Sequence, residues 1–222
     1  MVFSGSQNIE SNLNSMNSVA KILEMLAAEE TQHMRRVSKL VDTFVYELKF
    51  SDLFQKNLDG YQFYGTAAFY HDIGKVWIPL EILTKPNKLT ELESHVIRQH
   101  PVFAKKLFDQ IKLGLISGMP EHLIQLAADS AIYHHEWWDG SGYPFGMKYD
   151  SIPLIARMTS ICDAYDAMTS NRIYRKSHSH DHARQELKRY AGIQFDPKLV
   201  AAFLAADIDL AFSFTEASLS HL

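Results

Sequence analysis

From Ser18 onward the apolar positions fall at helical spacing. Val19, Ile22, Leu23 and Leu26 recur in threes and fours, and so do Val37, Leu40, Val41, Phe44 and Leu48, which is the stripe of a helix with one buried face. The pattern fits one long helix or two, and it sets Glu29 and His33 one turn apart. Residues 51–60 are broken and polar. Residues 61–70 are apolar with helical spacing and run directly into His71-Asp72, where Gly74 is expected to end or bend the helix. Residues 78–87 contain Pro79 and Pro86 and read as loop or one short helix. Thr90-x-x-Glu93 is a capping box opening a helix with Leu92, Val96, Ile97 and His100 on one face.

Beyond it the chain predicts a turn at 114–120, a helix at 121–135 and a glycine-rich loop at 138–149. A strongly apolar helix from Ile152-Pro153 to about 170 follows, then two more at 180–191 and 197–206. Period-two alternation is almost absent, so the expected fold class is all-α. The expected organisation is a flexible N-terminal segment (1–17), one helical domain (18–206) and a C-terminal tail (207–222).

The 222 residues include 46% hydrophobic and 22% charged positions, enough for a sizeable core in an ordinary globular domain. A formal net charge of −4 and the lack of a long Lys/Arg cluster argue against polymeric nucleic acid as a ligand. A small phosphorylated ligand is allowed, because bound metal ions supply positive charge of their own. The single cysteine, Cys162, forbids an intramolecular disulfide and fits a reducing compartment. With no apolar run near the roughly 20 residues of a membrane helix, the expected location is cytoplasmic.

Five of the 11 histidines, His33, His71, His100, His134 and His135, lie within or at the ends of amphipathic helices; the others have polar surroundings. His71-Asp72 sets an imidazole beside a carboxylate where the backbone is leaving a helix, so both can reach one ion or bridge two. A mixed imidazole and carboxylate set without thiolates suits Fe, Mn or Zn. His134-His135 repeats the idea at another helix end. Asp163 stands in an otherwise apolar helix, which is costly unless the carboxylate is paired or metal-bound. Asp166, one turn on, is a candidate supporting partner or base; pairing of either aspartate with Arg157 or Arg172 is the plainer alternative. The loop Trp138-Asp-Gly-Ser-Gly-Tyr-Pro144 adds aromatic rings suited to stacking on a nucleobase.

With these residues in view, the chain resembles the HD-GYP family, a branch of the HD superfamily of metal-dependent phosphohydrolases. The resemblance is carried by His71-Asp-Ile-Gly-Lys75, Lys85-Pro-x-Lys-Leu-Thr90, Arg98-Gln-His-Pro101, His134-His-Glu-x-Trp-Asp-Gly-Ser-Gly-Tyr-Pro144, Ile152-Pro-Leu, Asp163-Ala-Tyr-Asp-Ala-Met-Thr-Ser170, Arg172-x-Tyr-Arg-Lys176 and Phe195-Asp-Pro197. It implies an HD-domain helical bundle with a glycine-rich GYP loop. It implies hydrolysis of cyclic di-GMP to linear pGpG or GMP by a metal-bridging hydroxide, with two or three divalent ions, Fe or Mn.

The metal positions it implies are His33, His71, Asp72, His100, His134, His135 and Asp163, with Glu29 where some members hold a third ion. Asp72, Lys75 and Asp166 are implied as catalytic, and Lys75, Tyr143, Arg172 and Arg175 as substrate contacts, Arg175 standing where lysine is frequent. The implied partners are a diguanylate cyclase (GGDEF) and a second copy in a homodimer. The alternatives are a 3',3'-cyclic GMP-AMP phosphodiesterase, another HD-superfamily nucleotide hydrolase, and a non-catalytic module that binds the dinucleotide.

Overall fold

The computed structural model describes residues 16–48, 60–170 and 177–206. The first apolar stripe is two helices: α1 (Val19–Glu24), whose first turn is capped by the Ser18 hydroxyl accepting from the Lys21 N–H, and α2 (Ala28–Leu48). A 3-10 turn (Tyr61–Phe63) leads into α3 (Tyr64–Ala68), and His71 and Asp72 lie in the turn before a second 3-10 segment (Ile73–Trp77). Next come α4 (Leu80–Leu83), α5 (Glu91–Ile97), α6 (His100–Lys112) and α7 (Glu121–Tyr133). The glycine-rich loop joins α7 to α8 (Leu154–Thr169), and α9 (His180–Arg189) and α10 (Pro197–Ala205) complete the domain.

Among the described residues there is no strand, only two isolated bridges, so the fold is all-α as expected. The capping box is also present: the Glu93 N–H donates to the Thr90 hydroxyl and the Thr90 N–H to the Glu93 carboxylate. One boundary differs. His100 does not continue the helix that Thr90 opens; that helix stops at Ile97, and His100 starts α6, with Pro101 in its first turn. Proline tolerates that position because its missing N–H has no intrahelical acceptor there.

The core is one apolar cluster. Val37, Leu40, Val41 and Phe44 of α2 meet Ala67 and Ala68 of α3, Ala127 and Ala131 of α7 and Met158, Ile161 and Tyr165 of α8. Helix α2 packs on α3 and α8, and α6 packs on α7 and on the Ile73–Trp77 turn. The periodicity explains this, since each stripe faces the same interior and brings the polar residue at its edge to a common place. Gly74 has a different role from the one expected of it. Its backbone lies so close to α6 that a Cβ there would stand 2.1 Å from the His100 carbonyl oxygen and 2.7 Å from the Ala104 nitrogen. The residue is glycine because the two backbones touch.

The N-terminal segment 1–15, the polar break at 51–59, the substrate candidates Arg172 and Arg175, and the tail 207–222 lie outside the described residues.

Candidate metal centre

Five segments converge on Asp72. Helix α2 brings His33, the turn after α3 brings His71 and Asp72 itself, the start of α6 brings His100, the end of α7 brings His134 and His135, and α8 brings Asp163. Their donor atoms form two groups, each with all its atoms within 4.8 Å of one another: Asp72, His100, His134 and His135, and His33, His71 and Asp72. Asp163 adjoins the second group, its Oδ1 3.1 Å from His33 Nε2.

The hydrogen bonds around the rings decide which nitrogen each offers. His71 Nδ1 lies 2.9 Å from the Ala68 carbonyl, His100 Nδ1 2.8 Å from that of Ile97, and His134 Nδ1 3.0 Å from that of Ser130. A carbonyl only accepts, so each Nδ1 carries a proton, and burial, which disfavours a second one on His100 and His134, leaves their Nε2 atoms as bare lone pairs. Those lone pairs point at one another: Nε2 of His100 and His134 are 3.5 Å apart, and Asp72 Oδ1 is 3.3 and 3.9 Å from them. Asp72 Oδ1 is buried with no hydrogen-bond donor among the described residues. Two imidazole lone pairs and an unsatisfied carboxylate oxygen directed at one small space repel each other unless a cation lies among them. The residues therefore fit a divalent ion, and nitrogen and oxygen donors without sulfur fit the harder transition metals.

In the first donor group the charge states follow the same plan; in the second, burial is outweighed by Asp163 and Asp166, which raise His33 to about 9. Burial, then the neighbouring His135, holds His134 well below the usual imidazole range. Burial, then His100, takes His135 down to about 3, and burial lowers His100. These rings are neutral at pH 7, as ligands must be. Burial alone would raise the carboxyl of Asp72, but the Lys75 ammonium and His71 more than offset it and hold Asp72 well below the carboxylate range. Lys75 Nζ sits 2.8 Å from Asp72 Oδ2 and 2.8 Å from Glu30 Oε2, and burial that would lower it is outweighed by these two carboxylates.

Asp166 is nearly inaccessible. Its Oδ2 accepts from His33 Nδ1 at 2.7 Å and from Arg36 Nη2 at 3.0 Å, and its Oδ1 accepts from Arg36 Nε at 2.7 Å and Ser170 Oγ at 3.0 Å. These four hydrogen bonds, one of them to His33, occupy both carboxylate oxygens of Asp166. Arg157, the plainer partner considered for Asp163 and Asp166, instead joins Asp150 and Asp196.

Glu29 belongs to neither donor group. It is exposed in the first turn of α2, and the neighbouring Glu30 is the carboxylate that turns to Lys75. Tyr143 stacks on His135, ring centroids 4.8 Å apart at 20°, and the Arg98 guanidinium lies over the Tyr143 ring, 5.5 Å from its centroid. Trp138 packs against Tyr149 and under Arg157. Of these loop aromatics, Tyr143 is the one packed on the cage, through His135. Glu136 holds the loop from within, accepting the N–H groups of Phe145 at 2.7 Å and Met147 at 2.9 Å, and the Tyr143–Pro144 peptide is cis.

Arg36, Glu30 and Glu136 were missed by the sequence reading. A signal existed for two of them: Glu30 and Arg36 lie three residues before and after His33, on its face of α2.

Beside the cage a cleft of about 780 Å³ is lined by residues that include His33, Arg36, Lys75, Lys85, Asn87 and Lys88. No helix among the described residues is long and apolar enough to cross a membrane.

Comparison with known proteins agrees with the geometry. The family model described as "HD domain" matches residues 17–199. A "Probable cyclic di-GMP phosphodiesterase" of Vibrio cholerae is 37% identical over 203 residues, covering 89% of this chain and 46% of that protein. A "3'3'-cGAMP-specific phosphodiesterase 2" of the same organism is 38% identical over 138 residues, covering 62% of this chain and 25% of that protein. The chain thus spans less than half the length of these relatives. The solved structure of Bd1817, an HDG"Y"P protein of Bdellovibrio bacteriovorus, superimposes with a TM-score of 0.57 at 18% identity, over 79% of this chain and 51% of that one. The family match over 17–199 and the 37% identity over 89% of the chain show that the chain belongs to the HD domain family, and its sequence carries the motifs of the HD-GYP branch.

Proposed function

We propose that this chain is a metal-dependent phosphodiesterase that hydrolyses cyclic di-GMP to the linear dinucleotide, using two divalent ions, Fe or Mn. The observation that carries the reading is the pair of donor groups that share Asp72: a carboxylate can bridge two ions, and two ions a few ångströms apart suit an in-line displacement at phosphorus. When bound, such ions supply Lewis acidity and a water activated near neutral pH.

The chain's own residues do the rest. His71, His100 and His134 are fixed as Nε2 donors before any ion arrives, so little reorganisation accompanies binding. Lys75, clamped between Asp72 and Glu30 at the cleft wall, is a fixed cation where phosphoryl oxygens gain charge. The cleft's volume lies within the roughly 300–1,000 Å³ usual for small-molecule sites. Its cations, Arg36, Lys75, Lys85 and Lys88, suit an anionic ligand. Asp166 and Tyr143 are assigned to positioning, Asp166 through His33 and Tyr143 through His135; contact of Tyr143 with substrate and a third ion at Glu29 are not part of this reading.

The second reading, a 3',3'-cyclic GMP-AMP phosphodiesterase, is favoured by the similarity to the Vibrio cholerae protein of that name. One experiment separates them. Protein purified without oxygen and loaded with Mn²⁺ or Fe²⁺ is incubated with each dinucleotide, and products are identified by mass spectrometry. Linear product from cyclic di-GMP alone is the expected result, with activity lost in Asp72→Ala. Preference for the mixed dinucleotide selects the second reading, and tight binding with no product from either selects a non-catalytic binding module.

A further inference from the structure

We infer that Arg36 is a positioning residue for one half of the metal centre, setting His33 through Asp166. This rests on the two-ion reading above.

The argument begins from a difference among the histidines. His71, His100 and His134 are each oriented by a carbonyl three or four residues earlier in their own segment, Ala68, Ile97 and Ser130. Their ring planes come with the local turn, and no side chain elsewhere is needed. His33 is different. Its Nδ1 is held at 2.7 Å by a carboxylate on another helix, 133 residues away in sequence. A carboxylate rotates about its last bond, so one such contact fixes the distance and leaves the ring angle soft.

Arg36 removes that freedom. Its Nε and Nη2 grip both oxygens of Asp166 at 2.7 and 3.0 Å, and the planar fork of a guanidinium fixes the carboxylate plane as a lysine cannot. The grip also closes on itself. Arg36 stands one turn beyond His33 on α2, so the helix that supplies the ligand supplies the clamp on its holder as well. With the carboxylate plane fixed, His33 Nε2 is aimed at the space it shares with His71 Nε2 at 3.3 Å, Asp163 Oδ1 at 3.1 Å and Asp72 Oδ2 at 3.6 Å. In the other donor group, Asp72 with His100, His134 and His135, the rings of His100 and His134 are oriented by the Ile97 and Ser130 carbonyls and not by Asp166. The pair Arg36–Asp166 therefore governs the affinity of the His33 ion and leaves its neighbour alone.

The test is the binding of Mn²⁺ to the full chain, freed of metal by chelation, followed by calorimetry and by elemental analysis after gel filtration. The unmodified protein should bind two ions. Arg36→Gln should weaken one step by about 10- to 100-fold, the range for lost support of a ligand, with the other step unchanged. His33→Ala should weaken the same step, and Arg36→Gln placed on His33→Ala should add nothing to it, because the effect runs through that ring. Arg36→Lys keeps the charge and loses the fork, so it should weaken the same step by less; it carries the test if the glutamine variant does not fold.

A plain α2–α8 tie would behave differently. Equal weakening of both steps, no weakening of either, or a further loss on top of His33→Ala overturns the inference while the two-ion reading stands. A single ion on the unmodified protein overturns both.

Discussion

Gly74 follows the two site residues His71 and Asp72 and touches the backbone of a third, His100. A methyl group there would meet the His100 carbonyl oxygen and the Ala104 nitrogen at distances no real Cβ shows, and neither is the yielding end of a flexible side chain. Gly74→Ala must therefore push α6 away from the turn that carries His71 and Asp72. Overpacking of this kind costs about 1–3 kcal/mol. The expected result is a lower denaturant midpoint for the metal-free protein with an unchanged slope. Unaltered stability would mean that the turn and α6 are not in contact.

The sequence shows that this residue matters and misleads about why. A glycine after a helical stripe reads as a terminator, and close approach of a distant backbone leaves no mark in neighbouring residues. The same limit explains the other misreadings. His33, His71, His100, His134 and His135 could be picked out because each breaks an apolar stripe with a metal-binding group. Arg36 looked like any exposed cation of α2, since its partner Asp166 is 130 residues away.

At the scale of elements, the short helix α5 contributes Ile97 to the cleft, and the loop before it contributes Lys85, Asn87, Lys88 and Leu89. Its first turn is closed by three groups at once: Thr90 and Glu93 cap each other, and Lys85 Nζ lies 2.7 and 2.6 Å from the two oxygens of Glu93. The Lys85 ammonium, followed by the Thr90 N–H, brings the Glu93 carboxyl down to about 2. A carboxyl lowered on folding contributes stability above its unfolded pKa of roughly 4.3, and that contribution is lost as pH falls through the folded value. The clamp should accordingly be complete at pH 5 and above and weaken between there and about 2. A carbon-detected NMR titration of Glu93 should give a midpoint near the lower figure, and Lys85→Met should move it back toward the ordinary range. A midpoint already ordinary in the unmodified protein would show that Lys85 swings free of Glu93.

This element was legible from four residues, because a capping box is local chemistry. The boundary after it was misplaced, because His100 continues the apolar spacing of Val96 and Ile97. Pro101 was the better guide, since proline marks the first turn of a new helix more often than the middle of an old one.

Across the whole molecule, the centre joins segments spread from His33 to Asp163, and the long helices meet there through polar groups that the apolar core does not satisfy. The all-α class followed from periodicity alone. The way the helices cross had no such signature, and it was the order of the motifs, not any single stripe, that placed five segments around one carboxylate. Because the cage exists only when those segments are together, an ion binds the folded chain and not the unfolded one, and it adds RT ln(1 + [L]/Kd) to stability, about 2.7 kcal/mol for one site at a hundredfold excess over Kd. For a domain of this size each kcal/mol moves the unfolding midpoint by about 2–4 °C. Mn²⁺ should thus raise the midpoint of the chelator-treated protein by roughly 5–10 °C per site filled.

Asp72 belongs to both donor groups, so Asp72→Ala should abolish nearly all of that rise. His135→Ala removes one ligand from one group and should keep part of it. The comparison is made between matched samples with and without Mn²⁺, so any change in the metal-free midpoint cancels. If Asp72→Ala is stabilised as much as the unmodified chain, the ions bind somewhere other than around this carboxylate.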